Sequence, residues 1–129
     1  MKIVVLADSR KNELLVNFCI AYKQILGRHE LMSVSHNVRL LEQATGLRLN
    51  GIATDVTGGM NQIAARAEFN EIDAVIFLRD PGAGAYEGPN LLMRACDQNN
   101  IPYASNLASA ELLVLAIDRG DLDWRELIH

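Results

Sequence analysis

Ile3-Val4-Val5-Leu6 is an apolar run with no polar alternation, and it gives way abruptly to Asp8-Ser9-Arg10-Lys11-Asn12. A strand with one wet face alternates apolar and polar residues. An unbroken run suits a strand covered on both faces, as in a parallel sheet held between helical layers. Asp8 and Ser9 then open a helix in which Leu15, Phe18, Cys19, Tyr22 and Ile25 recur at helical spacing. The loop after such a strand is where ligands meet backbone N–H groups. Residues 8–12 are therefore the first place to look for a binding site.

The remaining chain repeats this alternation. His29 to Val34 reads as a second strand, followed by a polar Ser35-His36-Asn37 loop able to cap a helix bearing Leu40, Leu41 and Ala44, which Gly46 ends. Leu47 to Thr54 reads as a weaker third strand. Thr57-Gly58-Gly59 then reads as a tight turn into a helix with Met60, Ile63, Ala64 and Ala67 on one face. Ile72 to Leu78 is the clearest strand after the first, closed by Arg79-Asp80-Pro81, and the loop from Gly82 to Gly88 suits a site cover. Pro89 can begin a helix carrying Leu92, Ala95 and Cys96, and Ile101 to Ala104 makes a short edge strand. A last helix containing Leu112, Leu113, Ala116 and Ile117 stops at Gly120, after which Trp124, Leu127 and Ile128 are expected to pack a final turn onto the body. Strands alternating with helices throughout give a single doubly wound, three-layer α/β domain over residues 1–129, with a central, mainly parallel sheet.

Composition narrows the function classes. A net charge of −4 gives no bias towards nucleic acid or anionic membrane, and no apolar run reaches the roughly 20 residues that span a bilayer. The N-terminus lacks the pattern of a signal peptide. Cys19 and Cys96 are far apart at apolar helical positions and fit no metal-ligand spacing, so they read as buried thiols of a cytoplasmic protein. No nucleotide-binding, zinc or nucleophile-elbow motif is present, and no cofactor or metal is expected.

Several landmarks resemble those of the methylglyoxal synthase family. They are Met1-Lys2-Ile3 with Ala7, Val16-Asn17-Phe18, Ala21-Tyr22-Lys23, Ala44-Thr45-Gly46, Gly58-Gly59, Arg79-Asp80-Pro81, Asn100-Ile101-Pro102, Asn106, Ala110-Glu111 and Arg119-Gly120-Asp121. The resemblance runs almost end to end. It implies a small α/β domain assembled as a homo-oligomer, in the family a hexamer. The reaction it implies converts dihydroxyacetone phosphate to methylglyoxal and phosphate. A carboxylate removes a proton next to the carbonyl, and the resulting enediolate expels phosphate.

Against the family pattern the reacting positions differ. Where the family has His-Asp and then a phosphate-binding lysine, this chain has Asp8, Ser9 and Asn12. The family's Thr-Gly-Thr-Thr-Gly phosphate loop reads Val34-Ser35-His36-Asn37-Val38, its Ser-Gly reads Thr54-Asp55, and its catalytic aspartate is Met60. Its Pro-His-(Asp/Glu)-Pro-Asp segment reads Tyr86-Glu87-Gly88-Pro89-Asn90, so that Asp80 alone persists among the acidic site positions. Methionine cannot accept a proton, and Asp8 and Asp55 bring negative charge to where a dianion would sit. The expectation is a family member that has lost the reaction and binds a small metabolite or regulates a partner, rather than an enzyme. The alternatives are an active methylglyoxal synthase with a rebuilt site, or an enzyme for a less anionic substrate. Asp8 and Asp80 are the catalytic candidates. Arg10, Lys11, Asn12, Ser35, His36, Asn37, Thr54, Gly58, Gly59 and Glu87 are the candidates for binding a small molecule, with phosphorylated compounds among the options.

Overall fold

The computed structural model describes residues 1–51, 56–82 and 91–128, and the side chains of all of these except 35, 36, 56–60 and 128. Five parallel strands, β1 (Lys2–Ala7), β2 (Glu30–Ser33), β3 (Leu49–Gly51), β4 (Ala74–Leu78) and β5 (Tyr103–Ala104), lie in the order β3-β2-β1-β4-β5. The helices are α1 (Asn12–Ala21), α2 (Lys23–Leu26), α3 (Ser35–Thr45), α4 (Val56–Glu68), α5 (Leu91–Asn99) and α6 (Leu107–Arg119). A 3-10 turn at Ser9–Lys11 precedes α1, and another at Asp123–Ile128 follows α6.

The unbroken apolar run has the expected cause. Ile3 and Val5 join a core with Leu15, Phe18 and Cys19 of α1, Leu41 of α3, and Ala110, Val114 and Ile117 of α6. Val4 and Leu6 face the other way, against Ile63, Ala64 and Ala67 of α4 and Leu92, Ala95 and Cys96 of α5. Alternate side chains of one strand thus feed two cores, so a polar residue at any of these positions would be buried. The layering follows from right-handed crossovers. The chain steps outward from β1 to β3 with helices on one face, then crosses back through α4 and α5 on the other.

Both glycine stops hold: Gly46 and Gly120 end α3 and α6 at φ of 77° and 84°, a conformation that costs side-chain-bearing residues energy. Asn106 caps α6 by accepting the N–H of Ser109 at 2.9 Å. Burial pushes the thiols of Cys19 and Cys96 up to about 12. At pH 8 the thiolate is then roughly one part in 10⁴, and it is the thiolate that reacts. Native protein should accordingly resist a thiol-disulfide reagent that titrates both cysteines in denaturant. Fast labelling of the native chain at pH 8 would contradict this.

Elsewhere the structure corrects the sequence reading. Ser35-His36-Asn37 is not a loop before a helix but the first turn of α3, with extended Val34 preceding it. Thr57, Gly58 and Gly59 likewise lie inside α4. Two glycines and four polar residues looked like turn chemistry, yet Ser35-His36-Asn37 opens the crossover helix that follows β2, and Thr57-Gly58-Gly59 lies within the first turns of α4. Leu40 and Ala44 are exposed, whereas Leu41 and Thr45 face the core. The tail also inverts the expectation. Trp124 is half exposed and Leu127 is 86 % exposed, whereas Arg125 between them is fully buried. With three residues per turn, Leu122 and Arg125 share the inward face while Trp124 and Leu127 share the outward one.

Candidate active site

In a doubly wound sheet the crevice for ligands lies beyond the carboxyl ends of the strands, where the connections diverge. Here that point falls between β1 and β4, since one crossover leaves β1 towards β2 and another leaves β4 towards β5. The two strands are paired from Ile3 opposite Ala74 to Ala7 opposite Leu78, so they end level. Asp8 and Arg79, 71 positions apart in the chain, emerge side by side, and the N–H of Asp8 still bonds the carbonyl of Leu78 at 2.9 Å.

This register makes a constellation. Oδ2 of Asp8 accepts two hydrogen bonds, from Nε of Arg79 at 3.1 Å and from the backbone N–H of Asp80 at 2.6 Å. Oδ1 of Asp8 has no hydrogen-bond partner among the described residues, and the side chain remains 21 % exposed. One oxygen is anchored and the other is open. Arg79 is 12 % exposed and its guanidinium lies 4.6 Å over the ring of Phe77. Two residues apart along an extended segment, these side chains share a face. Burial disfavours the charged guanidinium, but hydrogen bonds to Asp8 and to the phenol of Tyr103 outweigh it, so its pKa is raised above the ordinary arginine value.

Asp80 orders the turn that follows β4: its Oδ1 accepts the N–H of Gly82 at 2.9 Å, and Arg10 approaches its other oxygen to 3.8 Å. Arg10 is 83 % exposed, so that pair adds little stability and leaves the guanidinium available. The N–H of Lys11 bonds the carbonyl of Asp8 at 2.7 Å, closing the 3-10 turn that places Asn12 at the start of α1. Oδ1 of Asn12 is buried and has no hydrogen-bond partner among the described residues.

The structure therefore brings Asp8, Arg10, Lys11 and Asp80 together. Ser35, His36 and Asn37 begin α3 at the same edge of the sheet, beyond β2. Asn37 is buried. Gly58 and Gly59 fall in the first turns of α4, and Met60 follows them. Thr54, Asp55 and Glu87 lie outside the described residues. Arg79, which sequence reasoning noted only as a landmark, is the missed member. Its two-residue spacing from Phe77 was the available signal.

A cavity of about 890 Å³ opens at the opposite, amino edge of β2 and β3, with Lys23, Arg28, His29 and Arg48 in its wall. The C-caps of α2 and α3, Gly27 and Gly46, also line it. Cations at helix C-termini offset the helix dipole, which accounts for this charge without a ligand. Among the described residues no group of three or more His, Cys, Asp or Glu side chains could hold a metal ion, and no helix is long and apolar enough to cross a membrane.

The chain is similar to several curated proteins along its whole length. It is 47 % identical to the methylglyoxal synthase of Caldicellulosiruptor saccharolyticus over 131 aligned residues, covering 100 % of this chain and 93 % of the relative. The corresponding figure is 42 % for a Thermoanaerobacter methylglyoxal synthase, with 98 % of each chain covered. It is 39 % for that of Brevibacillus brevis, with 100 % of this chain and 96 % of the relative covered. The solved structure of the methylglyoxal synthase from Elizabethkingia anophelis NUHP1 superposes with a TM-score of 0.80. That match spans 88 % of this chain and 76 % of the other, and at 24 % identity it speaks for the fold. No family model matches the chain.

These relatives overturn the expectation of a non-enzymatic binding or regulatory module, because full-length similarity at 39–47 % identity is to proteins named as an enzyme. The physical case for lost chemistry also weakens. Asp8 was counted as bare negative charge facing a dianion, but Arg79 and the Asp80 N–H offset it. Met60 cannot act as a base, yet a carboxylate with one open oxygen stands at the switch point of the sheet. By sequence and by fold, the chain belongs to the methylglyoxal synthase family.

Proposed function

We propose that this protein is a working methylglyoxal synthase, a carbon–oxygen lyase that converts dihydroxyacetone phosphate to methylglyoxal and phosphate with a base supplied by Asp8. The observation that carries this reading is the Asp8 carboxylate, with Oδ2 held by two donors and Oδ1 open, at the carboxyl ends of β1 and β4. A general base needs a fixed direction and a free lone pair, and this arrangement supplies both.

Oδ1 takes a proton from the hydroxymethyl carbon next to the substrate carbonyl, and the electron pair moves to give the enediolate. The hydroxyl on that carbon then becomes the aldehyde as the bond to phosphate breaks. Phosphate leaves with the bonding pair and the proton of that hydroxyl, and the remaining enolate takes back the proton held on Asp8 at its terminal carbon to become methylglyoxal, which restores the base. The dianion needs donors. Arg10 and Lys11 on the loop, and the N-terminal turn of α3 with Ser35, His36 and Asn37, stand at the sheet edge where such charge is favoured. Gly58 and Gly59 at the start of α4 offer a second close backbone approach. The buried Oδ1 of Asn12 requires a donor, and a substrate hydroxyl is one.

Purified protein incubated with dihydroxyacetone phosphate should release methylglyoxal and phosphate in equal amounts. Absence of both products, with the chain folded by circular dichroism, would sink this reading.

A further inference from the structure

Asp8 can act as a base only if its carboxylate points one way, and nothing in its own short side chain enforces that. Its backbone turns into a 3-10 helix immediately after β1, and no cap bond from the side chain restrains it locally. The restraint comes from β4. Arg79 continues the ladder beyond that strand, its N–H bonding the carbonyl of Ser105 at 3.1 Å, so its backbone is tied to the segment after β5. Its side chain is then held along its length: the guanidinium lies over the Phe77 ring, reaches the Tyr103 phenol, and gives Nε to Oδ2 of Asp8. A guanidinium fixed on three sides is a rigid donor, unlike a free arginine whose rotamers would have to be frozen at each turnover.

We infer that Arg79 is a positioning residue for the reaction: anchored by Phe77 and Tyr103, it holds Oδ2 of Asp8 so that Oδ1 faces the substrate proton. This role rests on the reading of Asp8 as the base. Arg79 is not placed to grip the phosphate, because its Nε is committed to Asp8 and its face to Phe77. Losing it should therefore disturb the chemical step rather than substrate binding. Displacing a reacting group by about 1 Å costs on the order of 100-fold in rate.

The test compares kcat and KM for dihydroxyacetone phosphate in wild type, Arg79→Ala and Arg79→Lys, with and without added ethylguanidinium at concentrations that leave the wild type unaffected. Arg79→Ala should lose about 10- to 100-fold in kcat while KM stays within about 3-fold, and ethylguanidinium should restore part of the loss saturably. Arg79→Lys keeps a charge but cannot reproduce the planar Nε contact, so it too should fall about 10-fold in kcat. It serves as the deciding variant where alanine unsettles the sheet edge. Combining Arg79→Ala with Asp8→Asn should cost no more than Asp8→Asn alone, since both act through one carboxylate. Wild-type kcat in the lysine variant would overturn the role. So would a raised KM at unchanged kcat, which would make Arg79 a phosphate ligand, and so would a loss that ethylguanidinium does not relieve in a folded alanine variant. Absence of wild-type turnover removes the reading of the site itself and this role with it, and is seen before any variant is made.

Discussion

An Arg125→Met chain is expected to be less stable by about 3–5 kcal/mol, the usual cost of removing one partner from a buried ion pair. Arg125 is fully buried at the amino edge of the sheet, the end away from Asp8. Its Nη1 donates to the carbonyls of Asn99 and Asn100 at 3.1 and 2.8 Å, and its Nη2 donates to Oδ1 of Asn70 and the carbonyl of Ile72 at 2.6 and 3.1 Å. Nε lies 3.4 Å from Oδ1 of Asp73, whose other oxygen accepts the N–H of Lys2 at 2.9 Å. Asn70 and Asn100 follow α4 and α5 with φ of 56° and 54°, the left-handed conformation that commonly ends helices. One guanidinium thus closes two helix C-termini, where its charge is favoured, and locks both to the start of β1 and β4. Methionine would fill the space and satisfy none of these acceptors. At this chain length the melting temperature should fall by roughly 10–20 °C. Removing the Asp73 charge as well should recover part of the loss, since the double variant no longer buries a carboxylate without its guanidinium. Calorimetry or denaturant titration of the two variants decides it, and a drop of less than about 1 kcal/mol in the single variant would show that the tail is dispensable.

Asp8→Asn should lower kcat by about 10²- to 10⁴-fold, the range attributed to a general base, with KM changed only a few-fold. The amide has nearly the same size, and its oxygen can still accept from Arg79 and the Asp80 N–H, so the melting temperature should shift little. Met60→Leu is the control. It exchanges one apolar side chain of similar volume for another on a helix whose Ile63, Ala64 and Ala67 face the core, and turnover should persist. Turnover that survives Asp8→Asn would place the base elsewhere, and turnover lost in the leucine variant would mean that position 60 still takes part in the site.

The features legible in the sequence were those encoded over a few neighbouring residues. The apolar run from Ile3 to Leu6 specified a strand buried on both faces, and helical spacing placed Leu15, Phe18 and Cys19 against it. Glycine's tolerance of positive φ marked the ends of α3 and α6. The family pattern was legible for the same reason, as short motifs with fixed residue types. Local reading failed where polarity was taken for exposure. Ser35-His36-Asn37 and Thr57-Gly58-Gly59 looked like a loop and a turn, yet the first opens α3 straight after β2 and the second lies within the first turns of α4. In the tail the apolar Trp124 and Leu127 were expected to pack inward, and the residue that does is Arg125 between them.

What only the tertiary structure decided are relations between distant segments. Set against the family motifs the reacting positions were read as changed, and from that the reaction was expected to be lost, an expectation the enzyme relatives overturn. The motifs could not show that β1 and β4 would pair in parallel and end level, because register is set by the whole sheet and its crossovers. That register sets Arg79 beside Asp8 across 71 positions and leaves one carboxylate oxygen bound and one open. Sequence determines which side chains are available and which face of an element they occupy. Whether a carboxylate is an isolated charge or an oriented base depends on what the fold packs against it.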